Sequence, residues 1–155
     1  MVAGVTVSKE MQVLTGSWNK DKAASESMDA ALDLLEIGGL LRKAMCLLKG
    51  CEISFDNGEI KFAATSIVPG FKVTEKYPLN GEPRQYNRRD LKKGKHTGHV
   101  EQTASSISVV LEWPEPGAGC GSDRMSCPSS NELIILSTVT VGSKTASYKS
   151  IYRRA

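Results

Sequence analysis

Several residue types and patterns are scarce in this sequence. Aromatic residues make up 6% of its 155 residues, and it contains two histidines and four cysteines. No apolar run approaches the roughly 20 residues that a membrane-spanning helix needs. The N-terminus also has no basic segment followed by an apolar stretch, as a secretory signal would. We therefore expect neither a membrane span nor a signal peptide, and the default prediction is a cytoplasmic protein.

The scarcity of histidine and cysteine limits metal and nucleophile chemistry. No two cysteines have the two-residue spacing of a zinc knuckle, so we expect inert thiols. His96 and His99 would face opposite sides of a strand, and His96 is expected at the surface among lysines. A single inward histidine could still ligate haem. No nucleophile elbow, phosphate loop or carboxylate pair is evident, so the sequence predicts no enzyme, no metal and no cofactor.

Length and overall composition predict one soluble domain over residues 1–155, with residues 1–12 as a loose leader. Hydrophobic residues account for 40% of the chain and charged residues for 24%, which is ordinary for a globular domain. A chain of this length can bury a sizeable core. We expect a monomer.

A helical period is clear only in the segment Ser25–Gly50. Apolar residues recur there at i, i+3, i+4 and i+7, which is one face of an α-helix, at Met28, Ala31, Leu32 and Leu35. Ser25 or Ser27 is a candidate N-cap, and Gly38-Gly39 interrupts the pattern. The period resumes at Leu40 and ends at Gly50. The sequence therefore predicts two helices of about three turns each, joined by a tight turn.

Downstream of Gly50 the hydrophobic period changes to two, which is typical of β-strands. Turn signals separate the strands at Asn57-Gly58, Pro69-Gly70, Asn80-Gly81 and Gly142-Ser143. The segment Pro114–Asn131 is rich in Pro, Gly and Ser, and we expect a long loop with a strand only around Arg124-Met125. A first strand near Trp18 and about nine more predict an antiparallel meander, sandwich or up-and-down barrel.

Positive charge is concentrated in one short stretch. The whole chain has a net charge of +3, whereas six basic residues stand against Asp90 within this stretch: Arg84, Arg88, Arg89, Lys92, Lys93 and Lys95. Such a run can attract an acidic membrane surface or another anion, or it can be a solvated turn. Tyr86 within it leaves a nucleic-acid-binding module as a further, less favoured alternative.

The order of these elements resembles the intracellular fatty-acid-binding and retinoid-binding protein family of the calycin superfamily. The similar segments are Leu14-Thr15-Gly16-Ser17-Trp18, Ser27-Met28-Asp29-Ala30-Ala31-Leu32, Gly39-Leu40-Leu41-Arg42-Lys43-Ala44, Ile60-Lys61-Phe62-Ala63-Ala64-Thr65-Ser66 and Ser150-Ile151-Tyr152-Arg153. The resemblance spans about residues 13–154. It implies an all-β fold with a small helical lid, namely a ten-stranded antiparallel up-and-down β-barrel capped by a helix-turn-helix.

The resemblance also implies a function, which is non-covalent binding and intracellular transport of a small hydrophobic or amphiphilic anion inside the barrel. The family holds a ligand carboxylate with two inward arginines and a tyrosine. Arg124 and Tyr152 are the positional matches, and Tyr148 shares the face of Tyr152, whereas Ser150 stands where the second arginine is expected. Met28 and Leu32 are the predicted inner contacts of the helices. The alternative is a barrel-fold enzyme, which would need two or more inward ionisable residues around one pocket.

Overall fold

Ten antiparallel strands form one continuous sheet in the computed structural model, which describes residues 7–155. The strands are β1 (Gly16–Lys20), β2 (Leu48–Asp56), β3 (Glu59–Ser66), β4 (Lys72–Pro78), β5 (Arg84–Asn87), β6 (Lys95–Gln102), β7 (Ile107–Trp113), β8 (Gly119–Ser129), β9 (Glu132–Val141) and β10 (Lys144–Arg154). Sequence neighbours pair from β1 to β4 and from β5 to β10, and β1 also pairs with β10. The prediction of a ten-stranded up-and-down barrel is confirmed.

Side chains join the two edges of this sheet, β4 and β5. The Tyr86 hydroxyl donates a hydrogen bond to the Lys76 carbonyl of β4, and Arg84 of β5 reaches past β4 to form an ion pair with Glu59 at the start of β3. The rings of Tyr77 and Tyr86 lie 4.6 Å apart between centroids. The barrel is therefore nearly closed, and these contacts cover edges that would otherwise be open to strand addition.

Tight turns set the register of the hairpins, as the sequence predicted. Asn57 and Gly58 join β2 to β3 with φ angles of 50° and 73°, which suits a type I′ turn. Gly70 and Gly81 also adopt positive φ in the next two connections. Because register fixes which side chains point inward, these turns determine the lining of the barrel interior.

Three short helices accompany the sheet: α1 (Lys9–Gln12), α2 (Asp29–Leu34) and α3 (Gly39–Cys46). The helix pair, α2 and α3, lies between β1 and β2 as predicted, but both helices are shorter than expected. The second helix was predicted to reach Gly50, whereas β2 already begins at Leu48. A Cβ atom at Gly50 would lie 2.3 Å from the Trp18 carbonyl oxygen, so this glycine permits close pairing of β1 and β2 rather than ending a helix.

The prediction of a loose leader is wrong for residues 8–12, while residues 1–6 lie outside the described part of the chain. The Ser8 side chain caps α1 by accepting a hydrogen bond from the Met11 amide at 3.3 Å. Met11 and Leu14 are buried in the core, and the Leu14 carbonyl accepts a hydrogen bond from the Trp18 indole at 2.9 Å. The α1 turn therefore closes one end of the barrel.

The loop predicted over Pro114–Asn131 is wrong because eleven of its residues form β8. Cβ atoms on Gly119 and Gly121 would lie 2.5 Å and 2.9 Å from the carbonyl oxygens of Thr140 and Thr138. The glycines that suggested a loop thus allow β8 to lie close against β9.

The barrel has a packed end and a hollow end. Large buried side chains, including Ile60, Leu79, Ile107 and Leu133, fill the end that α1 covers. The helix pair covers the opposite end, where the Leu47 carbonyl accepts a hydrogen bond from the Ile67 amide at 3.0 Å. None of the described helices has the length and apolar composition that crossing a membrane would need.

Candidate ligand cavity

The hollow end contains a cavity with two adjacent lobes beneath the helix pair. The first lobe has a volume of about 120 Å³, and its apolar wall includes Met28, Met45, Phe62, Phe71, Val73, Val109, Met125 and Ile135. The second has a volume of about 90 Å³ and is walled by Leu35, Ile37, Leu111, Trp113 and Val139. Both lobes are lined by Met45, Arg89, Asp123, Ser137 and Tyr148. Apolar walls with a few convergent polar groups are typical of a small-molecule site.

Three charged side chains form an ion cluster, Glu75–Arg89–Asp123, in the wall of the cavity. Arg89 Nη2 lies 2.5 Å from Glu75 Oε1, and Arg89 Nη1 lies 2.7 Å from Asp123 Oδ2. The Tyr77 hydroxyl donates to Glu75 Oε1 at 2.8 Å, and the Ser137 hydroxyl donates to Asp123 Oδ1 at 2.7 Å. The Arg89 guanidinium is thus already engaged by two carboxylates of the protein.

The pKa values of the cluster follow from burial and pairing. Burial by itself would raise the pKa of Glu75, but the charge and hydrogen bonds of Arg89, with the Tyr77 hydroxyl, lower it below the ordinary value. Burial opposes the charge of Arg89, yet its two carboxylate partners raise its pKa well above the ordinary value. Burial raises the pKa of Tyr148 to about 12. At neutral pH Glu75 and Arg89 are therefore ionised, and Tyr148 is a neutral hydrogen-bond donor.

His96 is buried beside the ion cluster, so its predicted surface position is wrong. The side chain is 2% exposed, and the ring stacks on Tyr86 with centroids 5.3 Å apart. Burial lowers the pKa of His96, and its Nε2 atom has no hydrogen-bond partner among the described residues, with Glu75 Oε2 3.8 Å away. His99 faces the opposite side of β6, as predicted.

Arg124, the predicted carboxylate anchor, is exposed on the outer face of β8 and does not line the cavity. Its Nε atom donates a hydrogen bond to the Ser106 hydroxyl at 3.3 Å. The neighbouring residues Asp123 and Met125 face inward instead, because successive side chains of a strand alternate between faces. The positional match was therefore one residue out of register.

Of the four other predicted ligand-binding residues, three line the cavity and one does not. Tyr148, Tyr152 and Met28 all line the first lobe. Leu32 is buried in a small cluster with Met28 and Ile37 behind the helix pair and does not line the cavity. Met28 precedes α2 as its N-cap residue, so its side chain lies between the helix and the barrel mouth.

The basic stretch is not a uniformly exposed patch, which corrects the prediction for two of its members. Arg88 is buried and pairs with Asp90 at 2.7 Å, and Arg89 belongs to the ion cluster. Tyr86 stacks within the structure on His96 rather than standing free as a platform for nucleic-acid bases. Arg88, Arg89 and Tyr86 are therefore engaged within the protein, whereas the nucleic-acid alternative expected them on one exposed face.

Sequence reasoning did not place the charged residues that line the first lobe inside the barrel, which are Lys20, Glu75, Arg89 and Asp123. Glu75 had a signal: it shares the period-two face of Val73 and Tyr77, both apolar or aromatic and inward. Arg89 had none, because it stands inside a run of exposed basic residues. Its inward position depends on a loop conformation that no short motif encodes.

Solved structures of lipid carriers share this architecture. Lipid binding protein 8 of Caenorhabditis elegans matches with a TM-score of 0.73 and 18% identity over 97% of this chain and 100% of that chain. The REP1-NXSQ fatty acid transporter has a TM-score of 0.70 and 14% identity, covering 92% and 96%. A fatty acid-binding protein from Drosophila melanogaster brain has a TM-score of 0.67 and 15% identity, covering 90% and 98%.

The chain has the fold of the fatty-acid-binding proteins. The resemblance expected from the sequence is therefore confirmed at the level of fold. No family model and no curated protein sequence matches the chain. Relative to the expected pattern of a fatty-acid-binding protein, the arginine match at Arg124 lies on the outer face, and the inward arginine, Arg89, is paired by carboxylates.

Proposed function

We propose that this chain binds one small hydrophobic or amphiphilic molecule non-covalently inside the barrel and transports it through the cytoplasm. The observation that carries the proposal is the cavity itself, which is walled by apolar side chains and holds a few convergent polar groups. Three proteins of the same fold support it, since their names state fatty acid transport, lipid binding and fatty acid binding.

Burial of an apolar tail would supply most of the affinity. Each methylene removed from water contributes about 0.8 kcal/mol before ordering costs, so a twelve-carbon tail gains about 9 kcal/mol. The first lobe offers aromatic and aliphatic surface for such a tail at Phe62, Val73 and Ile135. Polar groups would then orient the ligand rather than provide the main driving force.

The helix pair is placed to act as the gate of the cavity. Met28, the N-cap of α2, and Met45 of α3 line the first lobe, and flexible thioether side chains adapt to different ligand shapes. Arg42 of α3 binds Asp29 and Asp33 of α2 at 3.0 Å and 2.7 Å, which ties the two helices together. Opening therefore requires movement of the pair as a unit or loss of these exposed ion pairs.

Ligand binding is tested by calorimetric titration of delipidated protein with dodecanoate and 1-dodecanol. We expect saturable binding with a stoichiometry of one for at least one of the two molecules. The matched cavity variant is Val73→Glu, which places a charge in the first lobe and should abolish binding, whereas Thr74→Glu on the outer face should bind normally. No saturable binding of either molecule, together with no lipid in native mass spectra of the protein purified from its own cells, would refute the proposal.

An enzyme on the same barrel is the second candidate, and the inward ionisable groups of the cavity favour it. Glu75, Arg89 and Asp123 line the first lobe, and His96 lines the second lobe with Arg89 and Asp123. Two or more inward ionisable residues around one pocket were expected to support catalysis. However, the pairing with Arg89 holds Glu75 ionised with a lowered pKa, which makes it a weak base at neutral pH. A bound ligand recovered chemically unchanged after prolonged incubation supports the carrier, whereas turnover that is lost in Glu75→Gln supports the enzyme.

The end of the barrel that holds the helix pair is proposed to contact acidic membranes during loading and delivery. Three exposed apolar side chains lie at this end, one in α3 and two in the β3–β4 and β5–β6 connections: Leu40 is 69% exposed, Ile67 is 60% exposed and Leu91 is 75% exposed. Lys93 is also exposed, two residues after Leu91 in the β5–β6 connection. Sedimentation with phosphatidylserine vesicles should fall when Leu91 and Lys93 are replaced by serine and should weaken at high salt. Equal binding of both proteins would contradict this surface.

A further inference from the structure

Lys20 is the one cavity-lining lysine or arginine without a carboxylate partner among residues 7–155. Arg88 pairs with Asp90, and Arg89 is held between the two carboxylates of the ion cluster. Lys20 lines the first lobe from β1, and its Nζ atom lies 3.9 Å from Met28 Sδ. The lobe therefore holds a positive charge that the protein itself does not neutralise.

The surroundings of Lys20 make an unneutralised charge costly. The side chain is half-buried at the apolar mouth of the lobe, and burial lowers its pKa. An ammonium group removed from water without a counter-ion is strongly disfavoured. An anion bound beside Lys20 would remove this cost, which is the energetic basis for a head-group site at this position.

Tyr152 stands directly opposite Lys20 in the ladder between β10 and β1. Both residues line the first lobe, so their side chains share one face, and directly opposed residues have Cβ atoms about 4.5–5.5 Å apart. The Tyr152 hydroxyl makes no hydrogen bond to any of the described residues. Burial raises the pKa of Tyr152, so its hydroxyl remains a hydrogen-bond donor at neutral pH. An ammonium and a hydroxyl donor at this spacing suit the two oxygens of a carboxylate.

The ion cluster disfavours the alternative position for an anion. Two carboxylates, Glu75 and Asp123, surround one guanidinium, so the cluster has an excess of one negative charge when all three groups are ionised. A second anion next to Arg89 would meet like charges in a partly desolvated site. Charge therefore separates the cavity into an anion-accepting side at Lys20 and an anion-repelling side at Arg89.

We propose that Lys20 and Tyr152 form the binding site for the anionic head group of an amphiphilic ligand, a carboxylate in the first instance. This inference rests on the proposed function, since it names the class of ligand that the cavity takes. The head group lies beside Lys20 at the mouth of the first lobe, next to Met28 of the helix pair. The tail extends along the apolar wall toward Val73 and Ile135.

The test compares dodecanoate with 1-dodecanol, whose tails are matched, by calorimetric titration of four delipidated proteins. These are the wild type, Lys20→Met, the conservative variant Lys20→Arg and the control Lys22→Met, which removes an exposed lysine two residues away. We expect Lys20→Met to weaken dodecanoate binding by about 10-fold or more while 1-dodecanol changes by less than about 2-fold. Lys20→Arg should retain most of the preference for the acid, and Lys22→Met should match the wild type.

The outcomes separate this inference from the proposed function. If the wild type binds neither molecule, the proposed function fails. If the wild type binds both molecules and Lys20→Met weakens both equally or weakens neither, the head-group site is wrong, but the proposed carrier function is not affected. A measurement on the wild type covers the case in which a variant does not fold. Reductive methylation followed by peptide mass spectrometry should show Lys20 protected by dodecanoate but not by 1-dodecanol, with Lys22 unprotected as the internal reference. Equal methylation of Lys20 with and without dodecanoate overturns the inference.

Discussion

Replacing Arg89 by methionine tests whether the ion cluster holds Glu75 in the ionised state. The substitution keeps an apolar side chain of similar length but leaves Glu75, which is 5% exposed, without its charged partner. Breaking one side of a buried ion pair costs about 3–5 kcal/mol. Because the Arg89 side chain itself keeps 30% exposure, we expect the lower end, about 3 kcal/mol.

Urea unfolding followed by tryptophan fluorescence measures this loss. With a slope of about 2 kcal/mol per molar urea, the unfolding midpoint of Arg89→Met should fall by about 1.5 M at pH 7. Two controls define the origin of the effect. Arg124→Met removes an exposed arginine of the same barrel and should change the free energy of unfolding by less than about 0.5 kcal/mol. The triple variant Glu75→Gln, Arg89→Met, Asp123→Asn removes the whole cluster and should recover most of the loss.

The pH dependence gives a second signature. In the wild type the pKa of Glu75 is lowered by folding, so its contribution to stability is present above its ordinary pKa of 4.5 and is lost as pH falls through the lower folded value. In Arg89→Met, burial without the guanidinium raises the pKa of Glu75, so the penalty disappears as pH falls through that raised value. The deficit of the variant should therefore shrink between pH 7 and pH 4. A deficit that is constant with pH, or no larger than that of Arg124→Met, refutes the reasoning.

Three further predictions concern the gate, the barrel wall and the thiols. Arg42→Met should speed both uptake and release of dodecanoate in stopped-flow fluorescence, because it frees α2 from α3; unchanged rates would contradict the gate. Gly98→Ala should lower the free energy of unfolding by about 1–3 kcal/mol in urea titrations, because its Cβ would lie 2.8 Å from Tyr77; native stability would contradict the packing. Iodoacetamide should label exposed Cys120 within minutes but Cys51 only on unfolding, since burial raises the pKa of Cys51 to about 12; equal labelling rates would contradict its burial.

The sequence predicted most of the fold because its local signals agree with its tertiary contacts. The Asn57-Gly58 turn encodes a hairpin, and the alternation along β7 and the high β propensity of β9 each encode a strand, without reference to distant residues. β8 was missed because its local sequence disagrees with its tertiary contacts. Gly119 and Gly121 have low strand propensity, but a side chain at either position would collide with the backbone of β9 or with Trp113.

The candidate site was less predictable than the fold. Tyr152 was found through the family resemblance, and Tyr148 because strand periodicity places it on the same face. Arg124, also assigned from the resemblance, was one residue out of register, which reverses the face of a side chain. Arg89 was hidden in a basic run that looked solvent-exposed. Its inward position arises from carboxylates on two other strands, and such pairings between distant residues leave no local pattern.

Intermolecular nuclear Overhauser effects between dodecanoate and methyl-labelled protein test the central claim most directly, because they report where the ligand lies. The ligand-filled barrel predicts contacts from the tail methylenes to the inward methyl groups of Val73, Met125 and Ile135. Contacts confined to the exposed methyl groups of Leu40 and Ile67, or none at saturating ligand, would show that the interior of the barrel is not the binding site.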